Sequence, residues 1–400
     1  MEDVSNPGLL PAGLSDLLPP DAGFEASVTE RLIDACQAQG YQRVKPPLME
    51  FEDSLLSGTG AAMDRQVFRL MDPVSQRMMG LRADITPQIA RIAESRLKSS
   101  PRPLRLCYAG QVLRVRGDQI RPERQFAQIG AELIGSTAPA ADAEVIVLAA
   151  EAVGYIGVQN VSIDLAVPTL VGAILGDDLP GATEHALREA LNHKDTGALD
   201  ALSGRIGGNL TDILKQLVLA VGPADDTLAA VAKIELPAPA AAEWQRVSDI
   251  VAQVRALAPD LTLTIDPVER RGFEYHAGVT FTLYAAGVRG ELGSGGRYTA
   301  GHIAAPGEAA NDQRTAMGGE PATGFTLFTD TLLRALPRPP MGRRLFVPSG
   351  TDAARRAALR SEGWITVAGL DDVSDQQAEA HRLGCTHWLQ DGHPAALDHV

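Results

Sequence analysis

The chain has 400 residues, 45% hydrophobic and 22% charged, enough apolar material for two or three domains. No apolar run approaches the ~18 residues of a membrane-spanning helix, which excludes an integral helical membrane protein. A net charge of −14, from 36 basic and 50 acidic residues, argues against a protein that coats nucleic acid.

The predicted elements begin at Pro19-Pro20-Asp21, which opens a helix with Asp21 as its N-cap. Phe24, Val28, Leu32 and Cys36 recur every fourth position as one apolar stripe, and Gly40 stops the helix. Tyr41 to Phe51 reads as an extended segment broken by Pro46-Pro47, suited to a sheet edge or bulge. Thr86 to Lys98 reads as a helix, with Thr86 as cap and Pro87 in the first turn. Leu104 to Val115 and Arg124 to Ile134 read as strands joined by the polar turn 116–123. Ala141 to Val153 reads as a helix and Asn160 to Leu165 as a strand.

Residues 168–260 are rich in Ala, Leu and Asp, with helical spacing interrupted at Gly207-Gly208 and at Pro237 and Pro239, and read as a mainly helical insertion. Strand signals return at Leu261–Asp266 and Thr280–Ala285. Ala304 to Pro321 reads as a loop and Phe325 to Leu336 as a helix. After the stiff Pro337-Arg338-Pro339-Pro340 linker, strand and helix signals alternate as a small βαβαβ unit over 341–400, which favours a short parallel sheet.

Three scattered cysteines, Cys36, Cys107 and Cys385, argue against a disulfide scaffold or a Cys-based zinc site. With an acidic start followed by no apolar block, they predict a cytoplasmic protein without a secretory signal. His193, His276, His302, His381 and His393 show no metal-ligand spacing, so no metal is expected.

Charge is unevenly spread. Between Arg65 and Arg124 stand thirteen Lys/Arg against five acids, a net of +8 inside an acidic chain. These arginines either pair with acids elsewhere or gather anionic groups such as phosphates or carboxylates.

The most informative stretch is Gln125 to Leu133. On a strand, Ala127, Ile129, Ala131 and Leu133 share one face and can pack on a core. The other face carries Gln128, Gly130 and Glu132, with the two polar side chains ~13 Å apart. That is a floor with polar posts and room for a small molecule, unless it is an ordinary half-solvated strand. Three further segments carry chemistry: Leu81-Arg82-Ala83-Asp84-Ile85-Thr86-Pro87 at a helix entry, Glu269 to His276 before a strand, and Gly293-Ser294-Gly295-Gly296-Arg297-Tyr298. The glycines of the last allow either close backbone approach or a tight turn.

In this order the motifs resemble the histidyl-tRNA synthetases and their class II catalytic core, over about residues 10–335. Leu81 to Thr86 is similar to that family's L-R-P-E-G-T. Arg124-Gln125-Phe126 through Gln128 and Gly130 to Glu132 matches R-Q-F-x-Q-x-G-x-E. Arg271-Gly272-Phe273-Glu274-Tyr275 is similar to the histidine-specific R-G-L-D-Y, and Gly295 to Tyr298 matches G-G-R-Y. Gly324-Phe325 begins the third motif.

The departures bear on function. Where the synthetases carry the Glu of F-R-H-E that helps hold ATP, this chain has Arg116. Thr331 stands where the third motif places an Arg, so a triphosphate loses a guanidinium. His276 replaces a Tyr. The last 60 residues are short for an anticodon domain and carry a net charge of −2, unfavourable for RNA.

An amino-acid half retained beside a degraded ATP half is similar to the ATP phosphoribosyltransferase regulatory subunits, which act in the first step of histidine biosynthesis. The resemblance implies an α+β fold: an antiparallel class II sheet with flanking helices over 1–167 and 261–336, the helical insertion 168–260, and the C-terminal unit 341–400. It implies no catalysis by the chain itself, no cofactor, no nucleic acid and no membrane. The implied partners are a second copy in a homodimer, the short-form catalytic subunit in a hetero-octamer, and free L-histidine as feedback effector. The histidine-binding set it implies is Asp84, Thr86, Arg114, Gln128, Glu132, Arg271, Tyr275, His276 and Tyr298. Glu132 pairs with the ammonium or a ring N–H, with Gln128 beside it; Asp84 and Thr86 receive the ammonium; Arg271 or Arg114 takes the carboxylate; Tyr275, His276 and Tyr298 shape the ring slot. An active histidyl-tRNA synthetase and a tRNA-independent adenylating ligase are the alternatives.

Overall fold

Strand Gln125–Ile134 organises the fold because both of its faces are covered. In this computed structural model, which describes residues 8–117, 121–176, 180–269, 276–301, 319–338 and 342–397, it lies inside a large sheet. The order across the described strands is 42–43, 104–113, 125–134, 320–328, 293–300, 276–285, 161–166, 262–266 and 222–223. Pairing is antiparallel from Leu104–Leu113 across to Val161–Ala166; Gln42–Arg43 and Thr262–Asp266 pair parallel to their inward neighbours.

One face packs the main core. Ile129, Ala131 and Leu133 join Cys107, Phe281, Leu283, Phe325 and Leu327 beneath helices Asp21–Ala38, Pro139–Ile156 and Ala238–Leu257. Val28, Leu32 and Cys36 of the first helix are buried there with Ile33, and Phe24 packs at the margin. Asp21 is the first helical residue and not its cap, so its charge serves the positive end of the helix dipole. Helix Pro139–Ile156 is apolar on almost every side and ends at Gly157, whose φ of 109° suits the left-handed C-terminal position.

The other face packs a smaller core. Tyr108, Val112, Phe126, Ile134, Tyr298, Ala322 and Phe328 meet Ile85 at the N-cap, and Ile89, Ala90 and Ala93 within helix Thr86–Ser95. This helix crosses the functional face and carries its N-terminus to the middle of the sheet.

Two elements differ from the sequence reading. The apolar spacing of Phe325 to Leu336 predicts one helix, but Glu320–Phe328 is a strand and only Thr329–Ala335 is helical. The segment pairs on both edges, with Gln125–Ile134 and Gly293–Ala300, and these ladders outweigh its helical spacing. Gly293 to Tyr298 is strand and not turn, so its glycines serve close approach. The loop expected at 304–321 falls largely outside the described residues.

Residues 168–257 hold the helices Pro168–Leu175, Gly181–Asn192, Thr196–Ile206, Gly208–Leu219, Ala224–Val231 and Ala238–Leu257. A small sheet orders 49–51, 78–81 and 68–71. The contacts divide the chain at Pro337. The C-terminal unit orders its strands 365–368, 344–347, 387–390 and 393–396. The first three are parallel, and Asp352 and Asp375 cap the connecting helices through backbone N–H groups. Strand His393–Ala396 returns antiparallel after an Asp391-Gly392 turn with both φ angles positive. No described helix is long and apolar enough to cross a membrane.

Candidate functional site

The ladder register builds the floor. Gly130 lies opposite Tyr108 on one side and Thr326 on the other; Glu132 lies opposite Leu106 and Gly324. A side chain on Gly130 would strike the Tyr108 hydroxyl, and one on Gly324 would strike the Glu132 carboxylate. Both glycines therefore clear space for the polar groups beside them.

Glu132 is 1% exposed. Tyr298 OH donates to its Oε2 at 2.9 Å; Thr86 Oγ1 and Tyr108 OH donate to its Oε1 at 3.0 and 3.2 Å. Tyr108 OH also meets Thr326 Oγ1 at 2.9 Å. Burial pushes the Glu132 carboxyl up to about 8; the hydroxyl donors oppose this, and the nearby Asp84 charge adds to it. The Tyr108 phenol is likewise pushed well up by burial and by the charges of Glu132 and Asp84. The carboxyl lines a cleft of about 230 Å³ shared with Thr86, His276, Ser294, Tyr298 and Thr326 and floored by Gly295, Gly296 and Gly324.

Asp84, Thr86 and Gln128 form one unit. Gln128 is fully buried; its Oε1 accepts from Ile85 N at 3.1 Å and its Nε2 donates to Asp84 Oδ2 at 3.1 Å. Asp84 Oδ1 accepts from Thr86 N at 2.9 Å. The amide thus sets the turn that presents Asp84 and Thr86. Thr86 does not cap its own helix by side chain; its hydroxyl is spent on Glu132. A second recess of about 210 Å³, lined by Thr59, Met63, Asp84, Thr86 and Pro87, lies against the same turn.

At the other end of this face the chain fills its own space. Arg121 is buried with its guanidinium 3.8 Å from the Phe328 ring centroid and 5.0 Å from that of Phe126, and pairs with Asp330 at 3.1 Å. Arg114 lies 5.0 Å from the Phe126 centroid and donates to Ala83 O at 3.3 Å. Thr331 is buried and accepts from Arg334 at 3.1 Å, and Arg116 is exposed.

Of the sequence-predicted set, Asp84, Thr86, Gln128, Glu132 and Tyr298 form one hydrogen-bonded group, and His276 lies opposite Tyr298 in the ladder on the wall of the cleft. Arg114 stands at the aromatic end. Arg271 and Tyr275 lie outside the described residues. Tyr108, Thr326 and Arg121 were missed: the first two share Glu132's face only through strand register, and Arg121 sits in a segment read as a turn.

Arg297 of the G-G-R-Y stretch points to the opposite side. It forms a buried pair with Asp142 at 2.7 Å and donates to Ser136 O, tying down the start of helix Pro139–Ile156. Six of the thirteen cations of the basic window, Arg69, Arg77, Arg91, Arg102, Arg105 and Arg121, are in ion pairs with acids outside it.

The comparisons agree with this construction. The histidyl-tRNA synthetase family model matches residues 13–332. The chain is 54% identical to an ATP phosphoribosyltransferase regulatory subunit of Paramagnetospirillum magneticum, over 97% of this chain and 98% of the relative. It is 53% identical to one of Rhodospirillum centenum, over 95% and 94%. A crystal structure described as an ATP phosphoribosyltransferase regulatory subunit/histidyl-tRNA synthetase from Bacillus halodurans C superposes with a TM-score of 0.76, covering 94% of this chain and 96% of that one; at 23% identity this is a likeness of fold. By sequence and by fold, the chain belongs to the ATP phosphoribosyltransferase regulatory subunits, built on a histidyl-tRNA synthetase-like core.

Proposed function

We propose that the cleft binds free L-histidine and that the chain, as a homodimer, joins the short-form catalytic subunit in a cytoplasmic hetero-octamer, where it supports activity and carries histidine feedback inhibition. The observation that carries the histidine reading is a pair of carboxyl groups on either side of Thr86: Asp84 on the helix-entry turn, which lines the second recess, and Glu132 buried among hydroxyls, which lines the cleft. Histidine offers two nitrogen centres for them. Its ammonium, charged throughout the neutral range, goes to Asp84 and Thr86, which leaves Glu132 for the ring. Arg114 or Arg271 takes the carboxylate in a charge-assisted pair, and Tyr275, His276 and Tyr298 bound the ring slot. A desolvated zwitterion needs such partners at each end.

Support for a binding rather than an activating role comes from the aromatic end. Arg121 stacks on Phe328 and pairs with Asp330, so a neutralised cation already occupies that space. Feedback then requires that histidine bind one state of the assembly more tightly than the other. The test is calorimetry of the purified chain with histidine, followed by assay of the catalytic subunit with and without this chain and histidine. Saturable binding, activation by the chain and inhibition by histidine are expected. ATP–pyrophosphate exchange dependent on histidine, or no effect on the catalytic subunit, would sink the reading.

A further inference from the structure

Glu132 is an acid in an unusual setting. It is 1% exposed, lines the cleft, and is hydrogen-bonded by three hydroxyls, those of Thr86, Tyr108 and Tyr298. Among the described residues no Lys or Arg pairs with it. Among the described residues the titratable groups around it are Tyr108 from one neighbouring strand, Tyr298 and His276 from two others, and Asp84 from the helix-entry turn. Hydroxyls can turn to accept as well as donate, so this shell tolerates both forms of the carboxyl.

We propose that Glu132 stands in the empty cleft as the neutral acid and, when histidine binds, hands its proton to the imidazole ring, so that selection for histidine rests on a proton transfer inside the pocket. This rests on the histidine reading above and adds to it. The acid O–H bond breaks, the lone pair of a ring nitrogen takes the proton, and a carboxylate is left beside an imidazolium. Protein and ligand together keep the same number of protons.

Two features of the site drive the transfer. Burial and the Asp84 charge hold the proton on Glu132 while the cleft is empty. The ligand's ammonium on Asp84 cancels that charge and so loosens the proton. The three hydroxyls then all point at the new carboxylate, which strengthens each hydrogen bond. A ligand whose side chain carries no base near neutrality cannot accept the proton, and the pair does not form.

The experiment is titration calorimetry of the full chain with histidine from pH 5.5 to 9, and at pH 7 in two buffers of different ionisation enthalpy. With the free ring titrating near ~6.5 and Glu132 near ~8, affinity is flat between those values. It falls about tenfold per pH unit on either side, where a proton must be released or taken up. At pH 7 about 0.2 protons or fewer are exchanged with buffer. Glu132→Gln loses the upper limb and binds at least about tenfold more weakly at pH 7, a loss set by one pair. His276→Gln changes the level of binding but leaves both limbs. Release of nearly one proton at pH 7 with affinity climbing to pH 8 would overturn the proposal, as would both limbs surviving in Glu132→Gln. The curves show that the complex keeps the proton, and the ring 15N chemical shifts of bound 15N-labelled histidine at pH 7 locate it even if that variant fails to fold: both ring nitrogens protonated is expected, and one unprotonated ring nitrogen would overturn the transfer. Absence of any histidine heat from the folded chain sinks the binding reading itself, a different result.

Discussion

Gly324 faces Glu132 directly across the ladder between Glu320–Phe328 and Gln125–Ile134, and only a hydrogen atom fits between its Cα and the carboxylate. The missing side chain is what lets a buried acid stand on a sheet flanked by paired strands on both edges. Gly324→Ala should therefore displace the Glu132 carboxyl. Overpacking of this kind costs about 1–3 kcal/mol, and histidine affinity should fall at least about tenfold. Urea denaturation and calorimetry would check both; unchanged affinity in a folded variant argues against the carboxyl's role.

The raised Glu132 carboxyl also makes folding depend on pH. A group whose folded-state pKa lies above its unfolded value binds more protons when folded. Its contribution is complete below the unfolded value of 4.5 and is lost as pH rises through about 8. The wild-type chain should lose on the order of a few kcal/mol from this source across that window, and Glu132→Gln should not. Denaturation midpoints of the two proteins at pH 5, 6.5 and 8 measure the difference. Parallel profiles would mean that the acid is not held protonated.

Gln128 is expected to act through Asp84 and Thr86. Its amide holds the Ile85 N–H and the Asp84 carboxylate, and Gln128→Leu keeps the volume while removing both bonds. Leaving a buried donor unpaired costs about 1–3 kcal/mol of stability. Histidine binding should weaken by about 10- to 100-fold, a loss equivalent to ~1.4–2.8 kcal/mol, because the ammonium site is no longer set. Normal affinity in the variant would confine Gln128 to a purely structural part.

Arg121→Ala should be strongly destabilising. It leaves Asp330 in a half-buried site with the longer contacts from Arg334 and the Thr331 hydroxyl, both at 3.5 Å, and strips the stacked cation from Phe328. Breaking a buried pair costs about 3–5 kcal/mol. Adding Asp330→Asn should recover part of this loss, which a double-mutant cycle in urea would read out.

Restoring the two synthetase-like residues should not restore activation. The double variant Arg116→Glu, Thr331→Arg should still show no histidine-dependent ATP–pyrophosphate exchange, because Arg121 and its partners still fill the aromatic end of the face. Exchange above background would be falsifying for that account.

Much of the architecture was legible in short-range pattern. The alternation from Ala127 to Leu133 told which side of the strand meets the core, and Phe24, Val28, Leu32 and Cys36 announced the face of the first helix. The Asp391-Gly392 pair is a hairpin signal for the final strand, which the alternating βαβαβ reading does not include. Phe325 to Leu336 misled because its apolar spacing fits a helix, while pairing on two edges decided for a strand over its first part. Gln128 was readable as a polar post but not as the brace for Asp84, since the two are 44 residues apart in the chain.

The order and identity of the motifs, read from sequence alone, determined the family and the face of the strand that carries Glu132. Such facts are local, because side-chain direction in a strand or helix follows from the backbone period. What only the tertiary structure decided was the company each residue keeps: three hydroxyls and, among the described residues, no paired Lys or Arg around Glu132, Arg121 stacked on Phe328, and Arg297 turned away to Asp142. Those partners come from strands and turns tens to hundreds of residues apart. Their meeting depends on ladder register and on the packing of both sheet faces, which no local pattern encodes.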